Sequence, residues 1–160
     1  MGRSVLASDL HTGYSPKRPF PMIAARAYLA AAKAYFAFLI PEFGFTLSKE
    51  AARSAVFYAL EYRSQAQVIS ISYENLEDYF QVIVFQLVNH QLPDDDDQRH
   101  TLHLHALNQA LAPLVGPADW EENQRHFRAF QPEGTVERRL LKSAKELRLC
   151  LTNFDKLQAF

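Results

Sequence analysis

The chain is poor in cysteine, in glycine and in net charge. Its single cysteine, Cys150, excludes an intramolecular disulfide and fits a reducing compartment. With five glycines, the chain contains no G-x-G-x-x-G, Walker-type or G-x-S-x-G motif, so neither a phosphate-cradling loop nor a nucleophile elbow is expected. A net charge of −1 gives it no general attraction to nucleic acid or to an anionic membrane.

Long apolar runs are missing as well. The longest, AYFAFLI, is far shorter than the roughly 20 residues that a membrane-spanning helix needs. No secretory signal is visible, because the first apolar region begins late and contains Arg26 and Lys33. We therefore expect a cytoplasmic protein that binds neither membrane nor nucleic acid.

The chain does have the composition of one globular domain. Its 160 residues are 48% hydrophobic and 22% charged, which is enough to bury a core. Residues 1–21 combine prolines and glycines with little apolar periodicity, so they are expected to be a flexible N-terminal arm. Residues 22–160 are expected to form a single α+β domain, and Met22 offers an alternative start of the chain.

Apolar residues recur at helical spacing before and after the middle of the chain. They predict a leading helix over residues 22–40, ended by Pro41 and Gly44. After the middle of the chain they predict a helix with Leu104, Leu107 and Leu111 on one face, and then a helix with Asp119 as its N-cap. A last helix is predicted over residues 135–154, with an apolar stripe of Val136, Leu140, Ala144, Leu147 and Leu151.

The middle of the chain has the pattern of a sheet. SAVFYALEYRS and QVISISYEN alternate between apolar and polar residues, whereas YFQVIVFQLV is apolar on both faces and is predicted to be a central, doubly covered strand. The short links SQA and ENLED predict an antiparallel meander, and GFTLSK would add a further strand. The predicted fold is α+β: an N-terminal helix, a three- to four-stranded antiparallel sheet, and C-terminal helices packed on that sheet.

The acidic residues are concentrated in one part of the chain. No lysine or arginine occurs between residues 74 and 97, where seven acids fall: Glu74, Glu77, Asp78, Asp94, Asp95, Asp96 and Asp97. Capping the N-terminus of one helix needs one or two acidic residues, so four consecutive aspartates are more than capping requires. Their like charges also repel one another. We predict that these seven residues bind a partner, in two patches at opposite ends of the third strand of the meander. A plain solvated loop, with one aspartate capping the next helix, is the alternative for residues 94–97.

The segment DDDDQRHTLHLH also contains three histidines. On a helix, His103 and His105 would point about 200° apart, so only His100 and His103 share a face, with Asp96 or Asp97 as a third ligand. We therefore expect no metal site and no cofactor, with the histidines on the surface of the first turn of a helix. A metal-dependent enzyme built on this segment is the less favoured alternative.

Other catalytic signals are lacking. Cys150 lies on or beside the apolar stripe of the last helix, which predicts a buried side chain and not a nucleophile. Glu121 and Glu122 are neighbours on a helix and point apart, so they do not make an acid/base pair. We predict that the protein is not an enzyme.

Two segments of the chain, YFAFLIPEFGFTLSKE and VFYALEYRSQAQVISISYENLEDYFQVIVFQL, share a pattern at Phe38, Glu42, Gly44, Phe45, Tyr62, Tyr73 and Glu74. Through this pattern, residues 28–88 resemble small bacterial immunity-type proteins encoded beside polymorphic toxins. LLKSAKELRLCL also resembles the terminal helix of such proteins, without a role attached to it. The resemblance implies a protein that neutralises a cognate toxin by binding it, without catalysis, and it transfers no toxin contacts.

The acidic surface agrees with that expectation, since an inhibitor of a basic effector such as a nuclease needs complementary charge. An adaptor or chaperone-like protein of a secretion or phage system is the second function left open. A toxin gene beside this one would distinguish the two.

Overall fold

In the computed structural model, which describes residues 23–157, helices and strands follow the α+β order. The elements are α1 Ala25–Tyr35, α2 Leu39–Phe43, β1 Thr46–Arg53, β2 Phe57–Arg63, β3 Gln67–Glu74, β4 Tyr79–Gln86, β5 Thr101–His103, α3 Leu104–Leu111, α4 Pro117–Phe127 and α5 Thr135–Thr152. The predicted arm, residues 1–21, lies outside the described residues. No helix within residues 23–157 is long and apolar enough to cross a membrane.

The five strands form one antiparallel sheet in the order of the sequence, from β1 to β5. The predicted α+β class and the meander are therefore confirmed, but three to four strands was too few. The additional strand, β5, pairs with β4 through Leu102 opposite Val84. The segment GFTLSK contributes to β1, which runs on to Arg53.

The core lies between one face of the sheet and the helices. Alternate side chains of β2, β3 and β4 are buried on that face: Tyr58, Leu60, Tyr62, Ile69, Ile71, Tyr73, Val82 and Val84. Burial of each large apolar side chain contributes roughly 1.5–3 kcal/mol. The alternation read from the sequence thus selects the face on which the helices pack.

The double cover predicted for β4 is wrong. Val82 and Val84 are buried, but Ile83 and Phe85 are only half-buried on the opposite face. β4 lies next to the short edge strand β5, and the core cluster includes Val82 and Val84 but neither Ile83 nor Phe85. Apolar residues on both faces of a strand therefore did not require two packed layers.

The leading helix is interrupted. α1 ends at Tyr35, a turn follows, and α2 resumes at Leu39. Pro41 lies inside α2 instead of ending it, because the first backbone N–H groups of a helix have no intrahelical acceptor to lose. Gly44 does end it, in the left-handed conformation with φ of 75° that glycine adopts without steric cost.

Helix α5 follows the predicted stripe. Val136, Leu140, Ala144 and Leu147 are buried, and Leu151 is half-buried. The Glu137 carboxylate caps its start by accepting the backbone N–H of Gly134 at 2.9 Å.

The predicted start of α4 at an Asp119 N-cap is wrong. The helix begins at Pro117, and Gly116 precedes it as N-cap. Proline suits the first helical position because its ring fixes φ near the helical value. Asp119 consequently lies in the first turn, where its charge still favours the helix N-terminus.

Candidate functional site

The aspartate run, residues 94–97, lies in the long connection between β4 and β5. Asp94, Asp95 and Asp96 are exposed. Within residues 23–157, none of their carboxylates makes an ion pair or hydrogen bond. Folding therefore makes no visible use of these three charges.

Asp97 differs from its three neighbours. One of its carboxylate oxygens lies 2.7 Å from Nδ1 of His100, and the other accepts the His100 backbone N–H at 3.1 Å. The hydrogen bond from the His100 side chain lowers the pKa of Asp97 below its usual range. The His100 carbonyl in turn accepts the backbone N–H of Gln86 at 2.7 Å, which fastens this end of the loop to β4.

The histidines do not share the first turn of a helix as expected. His100 precedes β5, His103 is the last residue of β5, and only His105 lies in α3. Residues 101–103 are extended because they pair with β4. In the part of the chain that the structure describes, no group of three or more His, Cys, Asp or Glu side chains is placed to hold a metal ion.

The second acidic segment is the ENLED turn, residues 74–78, between β3 and β4. Glu74 is half-buried and Glu77 is exposed. The Asp78 carboxylate accepts a hydrogen bond from Tyr73 Oη at 2.7 Å and pairs with Arg139 of α5, so part of this acidic charge is neutralised inside the protein.

The turn is rigidly attached to the core. Asn75 is buried, and its side-chain amide donates to the carbonyl oxygens of Ala55 at 2.7 Å and Ile23 at 3.1 Å. The eight residues of β4, about 26 Å long at 3.3 Å per residue, separate this turn from the loop that carries the aspartate run. The two acidic segments thus lie at opposite ends of β4, as expected.

Sequence reasoning missed the most highly connected charge of the described region, Arg148. Its side chain is 8% exposed and joins three helices. It donates to Glu42 of α2 at 3.0 Å, to both carboxylate oxygens of Glu122 of α4 at 2.9 and 3.0 Å, and to Asn123 Oδ1 at 2.9 Å. We call these four residues the arginine cluster.

The arginine cluster has the electrostatics of a structural ion-pair network. Hydrogen bonding to Arg148 lowers the pKa of Glu122, which keeps that carboxylate ionised. Nδ1 of His126 lies 3.6 Å from Glu42, and burial followed by the nearby Arg148 charge lowers the pKa of His126. An ionised Glu122 suits ion pairing and not proton donation.

A signal for this cluster was present in the sequence. Arg148 follows Ala144 by four residues and Leu141 by seven, which places it on a buried helix face. A charge at such a position needs a partner, because an unpaired buried charge is costly. The identity of the partners was not readable, since Glu42 lies 106 residues away.

Two cavities open near these residues. A groove of about 750 Å³ borders the aspartate run, β5, α3 and the segment from Lys156 to Leu157. A second cavity of about 310 Å³ lies among α3, α4 and α5 and is lined by Trp120 and Cys150. Cys150 is buried, as predicted, and burial raises the pKa of its thiol to about 12.

Comparison with protein-family models, with curated proteins and with solved structures finds no match to this chain. The resemblance to immunity-type proteins therefore stays a prediction.

Most of the positions that carry the resemblance have structural roles in this protein. Phe38, Phe45, Tyr62 and Tyr73 are buried. Glu42 binds Arg148, which gives the terminal helix LLKSAKELRLCL a structural role.

Proposed function

We propose that this protein is a non-enzymatic, cytoplasmic immunity protein that binds and neutralises a cognate bacterial toxin through the aspartate run. The observation that carries the proposal is a set of three adjacent exposed carboxylates, at Asp94, Asp95 and Asp96, that have no partner within residues 23–157. Adjacent like charges repel, so folding gains nothing from keeping all of them. A basic partner surface would attract all three carboxylates and offset their mutual repulsion.

The loop that carries these charges is held at its ends. The backbone N–H of Val88 donates to the Gln91 carbonyl at 2.8 Å near its beginning, and the Asp97–His100 contact closes its end. A loop held in this way loses less conformational freedom when it binds, which favours affinity. Exposed charges at its tip accelerate encounter with a partner of opposite sign.

The ENLED turn, with Glu74, Glu77 and Asp78, is proposed as a second contact. It is secondary because Asp78 already pairs with Arg139 and because the turn lies at the far end of β4. The favoured partner is an effector with a basic site, such as a nuclease, in which carboxylates would occupy the positions of substrate phosphates. Nucleic acid, membranes and cofactors have no part in this proposal.

The proposal predicts a toxin gene beside this one, and the test is protection of bacterial cells from the toxin that this gene encodes. The variant replaces Asp94, Asp95 and Asp96 with Asn. The matched control replaces three exposed acids elsewhere, Glu121→Gln, Glu133→Gln and Asp155→Asn. Each triple variant changes the formal net charge from −1 to +2, because three negative charges are removed.

We expect the wild type and the control to protect, and the aspartate variant to lose protection at low expression. Failure of the wild type to bind or neutralise that toxin would contradict the immunity function. Equal protection by both triple variants would contradict the role of the aspartate run.

A further inference from the structure

The groove beside the aspartate run has an apolar floor. Leu102 of β5, Leu107 of α3 and Leu157 line it, and Leu107 is buried. The charged residues of its lining are Asp95, Asp97 and Lys156. Asp97 is bonded to His100 and Lys156 donates to the Leu114 carbonyl, whereas the Asp95 carboxylate has no partner within residues 23–157. The groove's volume of about 750 Å³ is within the roughly 300–1,000 Å³ of ordinary binding sites.

Two small residues make the groove accessible. Ala106 and Ala110 lie one helical turn apart on the outer side of α3 and are both exposed. Their methyl groups leave space that a longer side chain would fill. A partner chain can therefore approach the backbone of α3 closely.

The lining suits a protein segment better than a small ligand. Small-molecule sites orient their ligand with a few precisely placed polar groups inside an enclosed pocket. The buried polar side chains of the described region are Asn75, Asn123, Arg148 and Asn153, and none of them lines this groove. An apolar floor with exposed charges at its rim has instead the anatomy of a protein interface.

We infer that this groove receives an apolar side chain of the toxin, leucine or an aromatic residue, that is flanked by lysine or arginine. The apolar side chain would pack against Leu102 and Leu107, and the flanking cation would reach the carboxylate of Asp95. This inference rests on the proposed function and adds to it the chemistry of the partner segment. Charge attracts the partner, and the buried anchor holds it.

The first test uses a defined probe, the peptide N-acetyl-Arg-Trp-Leu-Arg-amide, with the full-length protein. At low salt, we expect the amide NMR signals of Leu102, Ala106 and Ala110 to shift in proportion to peptide concentration. N-acetyl-Glu-Trp-Leu-Glu-amide lacks the complementary charge, and N-acetyl-Arg-Ala-Ala-Arg-amide lacks the anchor. We expect both to bind about tenfold more weakly or worse.

A groove-filling variant supplies the second test. Ala106→Trp should weaken the binding of the first peptide by about tenfold. Ala30→Trp is the matched control, since Ala30 is also an exposed helical alanine but lies on α1, away from the groove. Melting temperatures of both variants verify that each remains folded.

Several results would overturn the inference. They are equal binding of the acidic peptide, equal affinity of the two tryptophan variants, and shifts confined to residues outside the groove. A dimer in solution that Ala106→Trp dissociates would assign the groove to a second copy. Groove signals that shift on deletion of residues 158–160, without peptide binding to the full chain, would assign it to the chain's own end.

Assays with the toxin distinguish a failure of this inference from a failure of the proposed function on which it rests. If Ala106→Trp protects cells as well as Ala30→Trp, the groove is not the anchor site, although the immunity function stands. If the wild type does not bind the neighbouring toxin at all, the proposed function fails, whatever the peptides do.

Discussion

The arginine cluster and the aspartate run use charge in opposite ways. In the cluster, one buried guanidinium is hydrogen-bonded to Glu42, Glu122 and Asn123 from two other helices. In the run, three of four carboxylates have no partner within the described residues. The paired and shielded charges serve the fold, and we propose that the exposed and repelling ones serve recognition.

The largest expected effect comes from placing an aspartate in the apolar core, with Leu147→Asp in α5, the helix that carries Arg148. Leu147 is fully buried, and an unpaired buried carboxylate costs several kcal/mol, so we expect a loss of more than about 4 kcal/mol in the free energy of unfolding. Denaturant titration measures it. Arg138→Asp is the control, because it adds the same residue at an exposed position of the same helix and should change stability by less than about 0.5 kcal/mol.

Arg148→Met should have the next largest effect. It removes one partner of a buried pair and leaves Glu42 and Glu122 without their cation. We expect a loss of about 3 kcal/mol, the lower end for such a change, because both carboxylates are partly exposed to water. If Arg148→Met unfolds at the same denaturant concentration as Arg138→Met, the cluster does not hold the helices together.

The cluster also predicts a dependence of stability on pH. The pKa of His126 is lowered from its ordinary 6.5, so protonation opposes folding and stability falls as the pH drops below about 6.5. The pKa of Glu122 is lowered from 4.5, so its contribution is complete above pH 4.5 and is lost below it.

Thermal melts at pH values from above 6.5 to below 4.5 separate the contributions of His126 and Glu122 to stability. His126→Gln should flatten the curve between pH 6.5 and 4.5, and Glu122→Gln should flatten it below pH 4.5. Parallel curves for the wild type and both variants would contradict this account of the cluster.

The smallest expected effects on stability are those of substitutions in the aspartate run, among which Asp97→Asn should have the larger effect. The substitution weakens the contact with His100 in a surface loop, so we expect only a slight decrease in the denaturant concentration at the unfolding midpoint. Replacing Asp94, Asp95 and Asp96 should lower that midpoint still less, since no partner within residues 23–157 is lost. A midpoint as low in either variant as in Arg148→Met would show that the run serves folding.

The periodic spacing of apolar residues in the sequence was sufficient to predict most of the fold. The strands β2 to β4 and the stripe of α5 follow from local alternation and helical spacing, because each element buries one face. The start of α4 was missed for a local reason, the Pro117 that follows Gly116, whereas the missing strand depended on contacts distant in sequence. β5 has only three residues and exists because β4 offers it a pairing edge, so the helical pattern that begins at Leu104 obscured it.

The candidate site also has some features that were predictable from the sequence and others that were not. The exposure of Asp94 to Asp96 and the separation of the two acidic segments follow from sequence alone, since like charges avoid burial and a strand has a known length. The pairing of Asp78 with Arg139 and of Glu42 with Arg148 was not predictable, because these residues are 61 and 106 positions apart. The groove likewise requires the packing of β5, α3 and Leu157.

The most direct test of the central claim is the association rate with the neighbouring toxin as a function of salt. At low ionic strength, we expect Asp94→Asn/Asp95→Asn/Asp96→Asn to associate about tenfold more slowly than the Glu121→Gln/Glu133→Gln/Asp155→Asn control. The difference should nearly vanish at about 1 M salt, where the Debye length is about 3 Å. Equal rates for the two variants at low salt would contradict the claim that these aspartates are kept for recognition.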